Sequence, residues 1–158
     1  MCSSDLSEAR AGWMRAMVLL GRSDAAVERV KAWLAAENDK ARRGELALAA
    51  VKALRAEARM EDAVALATRY SEEGGFELAM ELACIYRDQG NLDASIRTLQ
   101  SVPAREPEDK LWQGELLLDE LIAAGRWLEA DAACTRLSRS EEHTSELQSP
   151  CNLVCRLL

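Results

Sequence analysis

A helical-hairpin pattern recurs four times along the chain, and it constrains the fold more than any other feature. Its clearest copy runs from Ala79 through Leu82 and Tyr86 to Gly90, and it closes at Pro107. Small residues at these offsets let two helices touch, while the large residues fill the spaces between neighbouring hairpins. A single hairpin of this kind cannot bury its apolar face, so we expect the hairpins to stack into a solenoid.

The composition agrees with an all-α protein. Apolar residues make up 49 % of the 158 residues, aromatic residues 4 % and charged residues 30 %. This profile is typical of long helices and helical repeats rather than of sheets, and the length suits one domain. We therefore predict an all-α fold, a solenoid of about four antiparallel helix hairpins.

The periodicity predicts eight helices in four pairs. The pairs cover about residues 5–36, 39–72, 75–103 and 108–138. A small residue early in each second helix recurs roughly every 34 residues, a period typical of helical-hairpin repeats. The turn around Arg59 lacks a glycine and is the weakest boundary, and Ser71 to Gly75 is predicted to form a loop that closes the second pair. The four small residues are Ala26, Ala63, Ser95 and Ala130.

Charge and cysteine content exclude several classes of protein. The net charge of −7 argues against a nucleic-acid partner, because phosphate binding needs a clustered positive surface. No run of about 18 apolar residues predicts membrane insertion, and the apolar stretch from Met14 to Leu20 lacks the flanks of a signal peptide. The five cysteines show no disulfide framework, which favours a reducing compartment and a cytoplasmic location.

Residues 139–158 differ in composition from the rest of the chain. The helical periodicity stops at about Ser138, and the eleven residues that follow resemble a translated sequencing-adapter oligonucleotide. This segment holds the only histidine, His143, together with Cys151 and Cys155. We expect an artefactual or disordered tail rather than a functional metal site.

The repeats resemble the tetratricopeptide repeat family over about residues 5–138. In the third hairpin Leu82-Ala83 stands where the family has Leu-Gly, Tyr86 matches its tyrosine, Gly90 matches its turn and Pro107 its closing proline. The other hairpins depart from the pattern, and related helical-repeat families stay open. The resemblance implies that the hairpins form a right-handed superhelical solenoid. It further implies protein–protein interaction without catalytic activity. It also implies that the first helix of each pair lines a concave groove that takes an extended peptide or a partner helix.

The family's inner face, projected onto this chain, gives the candidate groove residues. They are Arg15, Lys52, Arg55, Met80, Cys84, Arg87, Trp112 and Asp119. Trp112 is a candidate anchor, since aromatic residues concentrate binding energy. The alternative is that Trp112 and Trp127, which flank the last hairpin, pack on a further repeat. Trp13 and Trp33 lie on apolar stripes and are predicted to be core residues.

Four of the candidates are cationic and come from three successive hairpins: Arg15, Lys52, Arg55 and Arg87. A stacked array would align them into a basic strip that binds an acidic peptide segment or a C-terminal carboxylate. The alternative is a solvated face whose arginines pair with Glu45, Glu77 or Asp88. Reversing Arg55 and Arg87 to glutamate is predicted to weaken partner capture without unfolding the domain.

The last hairpin suggests one further contact. The run from Leu116 to Leu118, with Leu121 and Ile122, is apolar on more than one helix face. One explanation is that these side chains are buried between hairpins. Self-association through the last hairpin is the alternative, because terminal repeats normally need a polar cap.

An enzyme is not expected. The chain has no phosphate-cradling glycine loop. Outside residues 139–158 it has no histidine with which to build a nucleophile–base pair. We predict an interaction scaffold with no cofactor and no metal. The alternative is a regulatory or sensor repeat module of a larger, truncated protein whose effector domain is missing.

Overall fold

The computed structural model describes residues 9, 10, 12–14, 16, 17 and 19–141, with side chains described as far as Ser138. Within these ranges the chain is all-helical and forms no strand. None of the described helices has the length and apolar character needed to cross a bilayer. The helices are α1 (helical at the described residues between 9 and 19), α2 (Ser23–Ala36), α3 (Lys40–Ala56), α4 (Met60–Arg69), α5 (Ser71–Asp88), α6 (Leu92–Ser101), α7 (Pro107–Ala123) and α8 (Trp127–Glu141).

The same backbone turn joins the two helices of each pair. One residue in each turn has a positive φ: Gly21 (70°), Ala58 (56°), Gly90 (73°) and Gly125 (69°). The next residue donates its N–H to a carbonyl five residues back, at 2.8 or 2.9 Å in all four turns. This bond caps the C-terminal carbonyls of the first helix and reverses the chain. Ala58 therefore does at the second turn what glycine does at the other three.

The small residues of the repeat pattern lie five positions after these turn residues, and all four are buried. The exposed fraction is 1 % at Ala26, 0 % at Ala63, 0 % at Ser95 and 3 % at Ala130. Each sits in the first part of a second helix. A small side chain there lets that helix approach its neighbours closely.

Side-chain caps explain where two helices begin. The Asp39 carboxylate accepts hydrogen bonds from the backbone N–H groups of Ala41 and Arg42 at the start of α3. The Asn91 side chain accepts one from the N–H of Ala94 at the start of α6. Both satisfy donors that lack a partner inside the helix. Pro107 opens α7, where its missing N–H costs nothing.

Two helix boundaries differ from those that the sequence predicts. The predicted loop from Ser71 to Gly75 is helical instead, and it forms the first turn of α5. Gly75 then breaks the regular geometry with φ 56° and ψ −143°, a conformation that is essentially confined to glycine, so α5 is kinked there. At the other end, α8 continues to Glu141, beyond the predicted end of periodicity at Ser138. Residues 142–158, which include His143 and both tail cysteines, lie outside the described residues.

Helices pack mainly on their neighbours in the chain. Helix α3 packs on α4 and α5, α5 on α6, α6 on α7, and α7 on α8, whereas α2 has only sparse contact with α3. The largest core cluster joins α1 to α5 around Leu34, Val51 and Leu78. Two smaller clusters join α5 to α8. Helix α5 belongs to both parts of the core.

The exposed fractions of several apolar side chains show whether they lie in the core. Leu116, Leu118 and Leu121 of α7 are buried in the two smaller clusters, which is ordinary burial between hairpins. Trp13 was predicted to be core, but its side chain is 36 % exposed. It stacks edge-to-face on Trp33 with ring centroids 5.0 Å apart. The pair therefore lies at the edge of the core.

Candidate interaction groove

A cleft of about 360 Å³ opens along the first helices of three successive pairs. Helix α3 contributes Gly44 and Glu45, α5 contributes Phe76 and Glu77, and α7 contributes Asp109. Three helices that are far apart in sequence thus form one wall. We call this cleft, with these five residues, the first-helix cleft.

The absence of a side chain at Gly44 permits the close approach of α3 and α5. Gly44 is buried, and a Cβ atom there would overlap the backbone carbonyl of Glu73 in the first turn of α5. The helical turn before Gly75 therefore lies directly on α3. This contact fixes the floor of the first-helix cleft.

An aromatic pair borders the cleft. Phe76 of α5 and Trp112 of α7 meet edge-to-face, with ring centroids 5.9 Å apart and an interplanar angle of 76°. The Trp112 side chain is 45 % exposed. The two rings link α5 to α7 and leave aromatic surface accessible beside the cleft.

The cleft is acidic. Four carboxylates line it, and no lysine or arginine is among its lining residues. Glu73 is neutralised by Arg43, whose Nη2 lies 2.8 Å from Glu73 Oε1. Within the described part of the chain, Glu45, Glu77 and Asp109 take part in no ion pair. Three carboxylates therefore face this cleft without an ion-pair partner among the described residues.

Arg55, one of the candidate groove residues, joins α3 to α5. Its Nε donates to Asp88 Oδ2 at 2.7 Å and its Nη1 donates to Glu81 Oε1 at 3.1 Å. These hydrogen bonds, foremost the one that Asp88 accepts, raise the pKa of the Arg55 guanidinium. The sequence allowed Arg55 to pair with Asp88 instead of binding a ligand. It did not predict the second partner, Glu81.

Arg87 stands beside a buried carboxylate. Its Nε lies 3.7 Å from Oε1 of Glu120, a residue of α7 that is only 1 % exposed. Neither oxygen of Glu120 has a hydrogen-bond partner in the described structure. Burial raises the pKa of the Glu120 carboxyl, although Arg87 and the Ser95 hydroxyl act in the opposite direction. Arg87 thus faces a carboxylate of α7 while 42 % of its side chain stays exposed.

The remaining polar candidates are on the surface or outside the described residues. Lys52 of α3 and Asp119 of α7 are exposed, and neither takes part in an ion pair among the described residues. Arg15 lies outside the described residues. Of the four cations that were expected to form a strip, two are paired with carboxylates of neighbouring helices.

Met80 and Cys84 are core residues, which corrects their assignment to the groove. Met80 is 1 % exposed and Cys84 is 8 % exposed, and both pack with Leu99 and Leu116 between α5, α6 and α7. Burial raises the pKa of the Cys84 thiol despite the nearby Arg55 and Arg87. A ligand in the groove would not reach either side chain.

The chain matches no protein-family model, no curated protein and no solved structure. Its groove is therefore interpreted from its own geometry. Among the described residues, no group of three or more histidine, cysteine, aspartate or glutamate side chains is arranged to hold a metal ion.

None of the five residues of the first-helix cleft is among the eight groove candidates, and the sequence patterns assigned no role at all to Phe76 and Asp109. Both lie in the first part of a first helix, Phe76 directly after Gly74-Gly75 and Asp109 two residues after Pro107. The signal that could have found Phe76 is its position as the chain's only phenylalanine beside that glycine pair. Nothing in the sequence indicates that Phe76 and Trp112 meet, because that contact depends on how α5 and α7 pack.

Proposed function

We propose that this chain is an interaction scaffold, built as a solenoid of the tetratricopeptide type, that binds a peptide or a helix of a partner protein. The four equivalent hairpin turns, with Gly21, Ala58, Gly90 and Gly125 in one backbone conformation, support a repeat architecture. Each repeat contacts its neighbours along the chain, as the helices of a solenoid do.

The observation that carries the proposal is the first-helix cleft. Three successive first helices, α3, α5 and α7, line it together. A groove shared by consecutive repeats can follow an extended peptide or a helix over several turns, which a pocket within one hairpin cannot do. The exposed ring of Trp112 beside the cleft provides the kind of aromatic surface that concentrates binding energy in interfaces.

A selection from a random peptide library tests the proposal. The full chain is immobilised, bound phage are sequenced over successive rounds, and an enriched peptide is added to the isotope-labelled protein. We expect amide shifts to change at the lining residues of α3, α5 and α7. A scrambled peptide of the same composition serves as the matched control and should cause much smaller changes.

Two results would contradict the proposal. If no sequence is enriched, the chain is not a peptide-binding scaffold. If the changes instead fall on the second helices α4, α6 and α8, the chain binds peptides on a different surface from the one proposed.

A further inference from the structure

The charge of the first-helix cleft is opposite to that of the basic strip expected from the sequence. Glu45, Glu77 and Asp109 come from three different helices and face one cleft without a paired cation among the described residues. Like charges brought together at a surface repel one another, and a bound cation relieves that repulsion. The negative charge of the cleft therefore favours a positively charged ligand.

Aromatic surface lies where such a cation would sit. Phe76 lines the same cleft, and Trp112 extends its aromatic surface edge-to-face at 5.9 Å. The face of an aromatic ring attracts a lysine ammonium or an arginine guanidinium, and tryptophan does so most strongly. Carboxylates and rings together favour the same kind of ligand.

Two of the four cations that the sequence offers to an acidic ligand already face carboxylates of this chain. Arg55 is hydrogen-bonded to Asp88 and Glu81, and Arg87 stands 3.7 Å from the buried Glu120. An acidic ligand at Arg55 or Arg87 would have to compete with these carboxylates, and an acidic ligand in the first-helix cleft would meet Glu45, Glu77 and Asp109. Charge complementarity therefore argues against the acidic partner.

A second cleft of about 600 Å³ continues the surface and shares Phe76 and Asp109 with the first. It runs past Ala79 to the connection between α6 and α7, where Glu106 and Arg105 line it. Phe76 is thus the point where the two clefts meet. A chain segment lying across Phe76 has room on both sides.

Resting on the proposed function, we propose that the groove binds a cationic segment of a partner protein, with a lysine or arginine side chain placed against Phe76 and Trp112 and facing Glu45, Glu77 and Asp109. The carboxylates select the sign of the charge, and the rings hold the alkyl part and the cationic head. The partner is recognised by its basic residues and not by a carboxylate terminus.

Matched synthetic peptides test this assignment. Three fluorescein-labelled peptides of equal length alternate glycine with lysine, glutamate or glutamine, and each is titrated into the full chain at physiological ionic strength. We expect the lysine peptide to bind at least about tenfold more tightly than the other two, since several surface charge contacts add up to that difference.

Two pairs of variants separate this site from general attraction to an acidic protein. Glu77→Gln with Asp109→Asn should weaken lysine-peptide binding about fivefold. Glu61→Gln with Asp131→Asn, two exposed carboxylates on second helices, changes the net charge equally and should have no effect. Trp112→Ala should weaken binding about fivefold. Trp127→Ala removes a tryptophan that is 58 % exposed but, unlike Trp112, does not stack on Phe76, so it should leave binding unchanged.

The outcomes separate this assignment from the proposed function. Tighter binding of the glutamate peptide would overturn the cationic assignment while the scaffold function stands, as would equal losses in the two carboxylate double variants. If none of the three peptides binds, the cationic assignment is also wrong. The library selection then remains the test of the scaffold function. Enrichment of lysine and arginine in that selection supports both.

Discussion

Ala58 occupies a backbone conformation that favours glycine. Its φ is 56°, and glycine fills the equivalent position in the three other hairpin turns. A Cβ atom in the left-handed region costs roughly 1 kcal/mol. We therefore expect Ala58→Gly to raise the free energy of unfolding by about 0.5–1 kcal/mol, and Gly90→Ala to lower it by about 1 kcal/mol. Urea titration followed by circular dichroism measures both.

Gly12 provides the control for an ordinary helical glycine. A Cβ atom at Gly12 would meet nothing within 4 Å, and the residue is helical. Gly12→Ala should therefore stabilise the protein by up to about 1 kcal/mol, the opposite sign from Gly90→Ala. If Ala58→Gly instead destabilises the chain, the turn at Ala58 is not equivalent to the other three.

Glu120 makes stability depend on pH in an unusual direction. Burial raises the pKa of its carboxyl above the ordinary value of 4.5, against Arg87 and Ser95, with Asp119 and Asp88 adding to the rise. The folded protein thus holds this proton more tightly than the unfolded chain. The contribution of Glu120 is fully present below pH 4.5 and is lost as pH rises through the raised pKa.

The isosteric variant Glu120→Gln isolates this effect. We expect its urea midpoint to match that of the unchanged protein at about the ordinary carboxyl pKa, and to exceed it by an amount that grows as pH rises to the raised pKa and is constant above it. Glu115→Gln, an exposed position on the same helix, should show no such divergence. A difference between the Glu120→Gln and parent midpoints that does not change with pH would mean that Glu120 is ionised equally in both states.

At the scale of elements, Arg55 is a clamp between α3 and α5. Its guanidinium is one-quarter exposed and bridges Glu81 and Asp88. The sequence predicts that reversing Arg55 to glutamate leaves the fold intact, but the structure changes that expectation. Arg55→Glu would place three carboxylates together, and we expect a loss of about 2 kcal/mol or more in the free energy of unfolding. Thermal and urea denaturation measure it.

Lys52 is the matched control on the same helix. It is exposed and takes part in no ion pair among the described residues, so Lys52→Glu should change stability by less than about 0.5 kcal/mol. Combining Arg55→Glu with Glu81→Arg should recover part of the lost stability. If the double variant is no better than Arg55→Glu alone, the bridge does not clamp the two helices.

Sequence patterns located most elements because local chemistry marks their ends. Gly21, Gly90 and Gly125 stop first helices, and caps such as Asp39 start them. The turn at Ala58 was the weakest boundary because nothing in an alanine signals a positive φ. The helical turn before Gly75 was missed because two adjacent glycines normally indicate a loop.

The groove was harder to predict than the helices. Helix α5 has apolar residues on two faces, and only the approach of α7 decides that Met80 and Cys84 are buried while Phe76 borders a cleft. Likewise, the pairing of Arg55 and Arg87 depends on distances between helices that periodicity does not report. The sequence predicted a basic groove along the first helices, whereas the cleft that α3, α5 and α7 share is lined by carboxylates.

At the scale of the whole molecule, α2 packs less extensively on α3 than α7 packs on α6 and α8. At one end, the two smaller core clusters bury side chains of α5, α6, α7 and α8 against one another. At the other end α2 has sparse contact with α3, and a cavity of about 120 Å³ lies between Val30 of α2 and Leu54 and Tyr70 of the second pair. Although α2 side chains such as Leu34 belong to the largest core cluster, the sparse contact with α3 leads us to expect that α2 opens before α5.

Hydrogen exchange followed residue by residue measures this opening. We expect amides of α2 to exchange at least about tenfold faster than those of α5, because their opening costs at least 1.4 kcal/mol less. Leu34→Ala removes a fully buried side chain of α2 and should cost about 2–4 kcal/mol locally. It should speed exchange in α2 while leaving the slowest amides of α5 nearly unchanged. If both helices lose protection equally, α2 opens only with the whole molecule, and the chain is one cooperative unit rather than a stack with a loosely attached first pair.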